Sequence, residues 1–131
     1  GLYQPKSHSE SDPTNGVTIE LTTGISSGSY LICGHNGGGL ARINFAGETD
    51  VLTRHYYAEQ TGGVGTVNLE LNLSEIGANT GLSANQVKII IANNAGFSFP
   101  YVLEATSVSG GVALFEGVPL TDKFFTFVAA P

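Results

Sequence analysis

The chain has no methionine, no tryptophan and a single cysteine, Cys33. One cysteine excludes an internal disulfide, so the fold rests on its core alone, an economy more common in bacterial surface domains than in secreted animal ones. The missing tryptophan removes the largest flat ring from any stacking surface. Charge is scarce too. Charged residues are 12% of the chain, about half the usual share. The balance is acidic, at -6, which argues against a nucleic-acid phosphate backbone or an anionic membrane surface as partner and admits cations such as Ca²⁺. No apolar run reaches membrane-spanning length and no signal peptide is visible. An exported form is therefore expected to have lost its targeting segment or to derive from a larger precursor.

Reaction chemistry is equally thin. His8, His35 and His55 are far apart in sequence, and neither a CxxC nor an HxxxH spacing supports zinc. There is no GxSxG elbow. The run Gly34-His35-Asn36-Gly37-Gly38-Gly39 lacks the Lys-Ser/Thr of a phosphate loop and the spacing of a dinucleotide fingerprint. It reads as a flexible connection or a bulge at a sheet edge. Cys33, within Tyr30-Leu31-Ile32-Cys33-Gly34, reads as a small buried hydrophobe rather than a nucleophile.

What is present is β-structure. From Thr66 to Ser74 apolar and polar residues alternate strictly, with Val67, Leu69, Leu71 and Leu73 on one side and Asn68, Glu70 and Asn72 on the other. That is the period of a strand with one buried face and one wet face. Further strands are expected at Val17–Thr22, Ser29–Cys33, Leu40–Phe45, Val51–Ala58, Val102–Ser107, Val112–Phe115 and Phe124–Val128. Val87 to Ala92 is β-branched and nearly all apolar, so it should be a central strand covered on both faces. Phe97, Phe99 and Tyr101 alternate, with Pro100 marking an edge or a strand end. Leu73 to Gly77 can form one helical turn, capped by Ser74 and ended by Gly77. Residues 1–16 are polar and aperiodic, and read as a disordered or loosely docked arm or as an arm that lends a strand to a neighbouring subunit. The sum is an all-β domain over residues 17–131: a two-sheet antiparallel β-sandwich, Ig-like or jelly-roll-like, of about eight to ten strands.

Few residues offer themselves as a site. Glu48 and Asp50 are the closest acidic pair in a turn, and a Ca²⁺ ion is the only cofactor the chain suggests, held there. Tyr56, Tyr57 and Tyr101 are the candidates for stacking on a sugar. Tyr56 and Tyr57 are adjacent, so they point to opposite faces of their strand and one must face away from the core.

Three segments carry a likeness. Tyr30 to Gly38 resembles a recurrent strand followed by Gly-His-Asn/Asp-Asn/Gly. Arg54-His55-Tyr56-Tyr57 leading to Thr61-Gly62-Gly63-Val64-Gly65-Thr66-Val67 resembles an Arg-aromatic segment ending in Thr-Gly-x-Val-Gly-Thr-Val. Leu120-Thr121-Asp122-Lys123-Phe124-Phe125-Thr126-Phe127 resembles a closing Asp-x-Tyr/Phe-Phe-Thr-Phe/Leu strand. In this order they are similar to β-sandwich modules of large secreted and surface proteins of Bacteroidetes-type bacteria, which usually carry Trp where this chain has Tyr56 or Tyr57. The resemblance implies an extracellular, non-catalytic, adhesin-like or structural module and carries over no catalytic residue.

The expectation is thus a non-enzymatic module at the cell surface or outside the cell, built into a fibre or a larger surface protein. Its partners would be other copies of itself, through strand exchange by the N-terminal arm, or neighbouring domains. The alternative is a carbohydrate-binding module of a secreted enzyme, with polysaccharide as partner. A cupin-like metal enzyme would need a His and carboxylate cluster that the spacing does not provide.

Overall fold

The computed structural model describes residues 2–5, 9–12, 17–21, 30–35, 40–61, 67–120 and 122–131; the strands up to residue 35, and residues 59–61, are described through backbone pairing only. Every strand pairing is antiparallel, and the strands form two sheets facing each other across a shared core. The chain is all-β, a two-sheet sandwich.

The smaller sheet is built around the alternating stretch. Strand β8 (Val67–Asn72) pairs on one side with β3 (Val17–Leu21) and on the other with β12 (Val112–Val118). Beyond these lie β2 (Ser9–Asp12), against β3, and β11 (Ser107–Ser109), against β12. Val67, Leu69, Leu71 and Leu73 are all fully buried, and Glu70 is exposed, as the alternation predicts. The β12 partner carries a bulge between Phe115 and Val118, with Gly117 at a φ of +66°. Gly117 is suited to that left-handed position, and its N–H donates to Asn68 Oδ1 at 3.2 Å. A wet-face residue of β8 thereby satisfies a donor that the bulge takes out of the ladder.

The larger sheet is organised by β13 (Lys123–Val128). One edge of β13 pairs with β9 (Lys88–Ala92), which pairs in turn with β10 (Tyr101–Glu104). The other edge is shared. Its start pairs with β7 (Tyr56–Thr61) and its end, at Val128, with β6 (Glu48–Leu52). From β7 the sheet continues to β4 (Tyr30–His35) and β1 (Leu2–Pro5); from β6 it continues to β5 (Arg42–Phe45). The single strand expected over residues 51–58 is therefore two strands with a break at residues 53–55. The cause is the change of place along β13: β6 leaves where β7 arrives. Thr126 stands at that gap, fully buried, with its hydroxyl 3.0 Å from the carbonyl of Leu52 and 2.9 Å from that of Arg54. A buried carbonyl without a partner costs about 1–3 kcal/mol, and Thr126 supplies a donor where the ladder cannot.

Two layers of apolar packing follow. Between the sheets, the β8 stripe meets Leu52, Tyr56, Ile89, Ile91, Phe125 and Phe127 of the larger sheet. On the outer face of the larger sheet a second cluster gathers Val51, Ile90, Ala92, Phe97 and Val128. Strand β9 is covered on both faces, as its β-branched run predicts. The outer cover comes from the hairpin joining β5 to β6, which turns through Ala46 and Gly47 at φ of +52° and +82°, and from the loop over residues 93–100. Positive φ at both central residues is the turn whose twist matches paired strands.

Smaller departures from the sequence reading have local causes. The turn over residues 73–77 is present, but Asn72 serves it where Ser74 was expected to: Asn72 Oδ1 accepts from the Glu75 N–H at 3.4 Å and from Ser74 Oγ at 2.8 Å. It ends as expected at Gly77, with Gly77 donating to Ser74 O and Ala78 to Leu73 O, the pairing of a glycine-terminated helical turn. Arg42 locks this turn to β5 and to the end of β13. Its guanidinium donates to the carbonyls of Ala129 (2.8 Å) and Ile76 (2.9 Å), and to that of Leu40. The polar front segment, read as an arm, supplies β1 and β2, one strand at an end of each sheet. His8 and the loop at residues 36–39 lie outside the described residues; Cys33 and His35 lie on β4.

Candidate binding surface

The three tyrosines singled out from the sequence have three different surroundings. Tyr56 is core. It stacks on Phe125, with centroids 5.1 Å apart and planes 14° from parallel, and meets Phe127 edge-on at 5.5 Å. It is 1% exposed, so it has no face for a sugar, and the stacking role expected of it is overturned. Its orientation follows from register. Tyr56 sits opposite Phe125 on β13, and that position faces the smaller sheet. Tyr57, one residue on, is opposite Phe124 on the outer face, half-buried, with rings 4.6 Å apart. Tyr101 alone of the three is exposed, at 55%.

Glu48 and Asp50 lie on β6 rather than in a turn. Glu48 is engaged: its Oε1 lies 2.9 Å from Lys88 Nζ, with both side chains partly buried. An ammonium thus occupies the place that a cation would take. Asp50 is exposed, with a φ of +56°. Among the described residues no three His, Cys, Asp or Glu side chains come together as metal ligands. A Ca²⁺ ion at this pair would have to displace Lys88 from Glu48.

Around Tyr101 the structure gathers residues that the sequence did not single out. The loop over residues 93–100 is not the alternating strand expected of Phe97, Phe99 and Tyr101. Asn94 pins it, accepting from the Phe97 N–H through its backbone carbonyl (3.0 Å) and from the Ser98 N–H through Oδ1 (3.2 Å). Phe97 turns inward and packs against Phe45 and His55, at centroid distances of 5.4 and 5.0 Å. Phe99 turns outward and is 100% exposed. Both phenylalanines hold left-handed backbone, at φ of +53° and +51°, a region that bulky residues rarely adopt.

Phe99 and Tyr101 flank a recess of about 170 Å³ whose lining also includes Asn93, Pro119 and Lys123. Lys123 Nζ donates to Asn93 Oδ1 at 2.5 Å. Two exposed rings, an amide and an ammonium thus meet at one end of the larger sheet. This arrangement can stack on a flat apolar face and donate hydrogen bonds beside it. Phe99 was hidden in the sequence by its apparent alternation with Phe97. The signal against a strand was present in Asn93-Asn94-Ala95-Gly96 on one side and Pro100 on the other.

The outer cluster also sets the state of His55. Its ring lies 5.1 Å from that of Phe45 and 5.0 Å from that of Phe97. Burial there holds its pKa below the ordinary 6.5, favouring neutral imidazole.

Neither a curated protein nor a solved structure matches this chain. The model of one domain family, a domain of unknown function designated DUF8202, matches residues 1–124, and the chain belongs to that family.

Proposed function

We propose that the chain is a non-catalytic structural or adhesive module that works outside the cell, joined to neighbouring copies or domains through its N-terminal strands. The observation that carries this reading is the placement of the front segment. β1 ends the larger sheet and β2 ends the smaller one, so each is bound to the rest of the sandwich along one edge only, to β4 and to β3. Strands held in that way can be exchanged for the same strands of a neighbour, because main-chain hydrogen bonds are indifferent to which copy supplies them. The likeness of the segments at residues 30–38, 54–67 and 120–127 to modules of Bacteroidetes-type surface proteins supports the same reading. Removal of residues 1–16 tests it. Light scattering and electron microscopy should find assemblies in the intact chain that are lost from the shortened one. A monomer both before and after removal would refute strand exchange.

One observation favours a second reading, a carbohydrate-binding module of a secreted enzyme: Tyr101 is exposed beside the fully exposed Phe99. Tyr101→Ala should then weaken retention on a polysaccharide that the parent binds. Failure of the parent to bind any member of a broad glycan panel would end this reading.

A further inference from the structure

We propose that the recess between Phe99 and Tyr101 binds an acidic sugar, a uronic-acid unit of a polysaccharide, with the rings taking the sugar's C–H face and Lys123 and Asn93 taking its carboxylate. The proposal rests on the carbohydrate-binding reading and names the ligand class for it.

Phe99 poses the question. It combines a left-handed backbone with complete exposure, and nothing among the described residues offsets either cost. Phe97 shares the backbone strain, but its ring is buried in the outer cluster. Strain held at an exposed aromatic tip points to a contact made with something else. The recess beside it, at about 170 Å³, suits a single sugar ring better than an extended segment of protein. The face of a pyranose that bears axial C–H groups is flat and apolar, and an aromatic ring covers it without leaving hydroxyls unsatisfied.

The polar lining selects among sugars. Lys123 has three ammonium protons and gives one to Asn93 Oδ1. The other two, with the Asn93 amide N–H pair, leave the recess rich in donors. A ligand that fits must bring acceptors, and a carboxylate accepts from both groups at once in the stronger, charge-assisted form. The chain as a whole carries -6, yet among the described residues Lys123 is the only charged side chain lining the recess. Asp122 is next to Lys123 in the chain but does not line the recess, and charges farther away than about 8 Å are largely screened at physiological salt, so the ammonium is the charge that a bound carboxylate meets directly. A site for one sugar unit is weak by itself. Several copies in an assembly would hold a repeating polymer through many such contacts.

The test is a titration of the isotope-labelled chain with trigalacturonate and with neutral galactotriose, followed by amide chemical shifts. The acidic sugar should bind about tenfold more tightly and move the signals of Asn93, Tyr101 and Lys123. Lys123→Gln should lower that affinity by about tenfold and leave the neutral sugar unchanged. Asn93→Ala should act in the same direction, and Phe99→Ala should weaken both sugars, all with unchanged melting temperatures. Equal binding of the two sugars, or indifference of the acidic one to Lys123→Gln and Asn93→Ala, would overturn the acidic assignment while leaving a carbohydrate module standing. Binding of neither sugar would overturn the acidic assignment, and the carbohydrate module would fall with it only if the parent also bound no member of the broad glycan panel. A change of particle size in solution with Phe99→Ala, without an effect on sugar binding, would mean that a second copy covers the recess and would also overturn the proposal.

Discussion

Thr126 shows how much one hydroxyl can hold. It is the one buried polar residue among the described core positions, and it faces two carbonyls at the point where β6 gives way to β7. Thr126→Val keeps the shape and removes the donor. It should cost about 1–3 kcal/mol in chemical denaturation, and the loss should be confined to stability. His55 gives a different kind of prediction. Its pKa is held below 6.5 by burial, so the unfolded chain binds its proton more readily than the folded chain. The associated stability is complete above the unfolded value and falls as the pH drops through 6.5 towards the folded value. Replacing His55 with Phe should flatten that part of the melting-temperature profile; an unchanged slope would place the acid sensitivity elsewhere. At this scale the sequence is half legible. Alternation shows that Tyr56 and Tyr57 must part company, but only the pairing of Tyr56 with Phe125 decides which of them goes inside.

Elements were legible where one face is buried and the other wet. β8 is the clearest case, and its stripe is the centre of the core. Leu69→Ala removes a fully buried side chain facing the larger sheet and should cost about 2–5 kcal/mol in an unfolding titration. Glu70→Gln, next to it on the wet face, should change stability by less than about 0.5 kcal/mol. β9 was equally legible, because a β-branched run with no polar alternation has to be covered twice. The break at residues 53–55 was not. Nothing local in Val51 to Ala58 marks it; it exists because two strands share one edge of a third. The loop at residues 93–100 was hidden for the opposite reason. Phe97, Phe99 and Tyr101 have the spacing of a strand, but the left-handed backbone at both phenylalanines cannot continue one. Hence the residues of the candidate surface escaped notice: Phe99 was read into a strand, and Lys123 and Asn93 come together only through the pairing of β9 with β13.

For the whole molecule, the two apolar layers predict a gradient of order. β9 and β13 have neighbours on both edges and both faces, whereas β10 and β11 are end strands with one partner each. Native-state hydrogen exchange should find the slowest amides at residues 89–91 and 124–127 and much faster exchange at 107–109, since end strands open without the rest. Uniform protection across both groups would contradict the two-layer description. The sandwich architecture could be read from the chain as a whole, because many short alternating segments with glycine turns admit few other solutions. The way the sheets are knit together could not, since it depends on partners distant in sequence.

The shared edge of β13 has a further consequence for biosynthesis. The strand on which β6, β7 and β9 all depend spans residues 123–128, so a ribosome delivers it after every one of them. Until then the emerging polypeptide holds ribbons with no common seam, and a nascent chain halted near residue 120 should remain protease-sensitive and prone to stick to its fellows. Closure of the larger sheet is therefore a late, long-range event, slow in the manner of folds whose contacts lie far apart in sequence, and a chaperone that shields open strand edges would matter most in that interval.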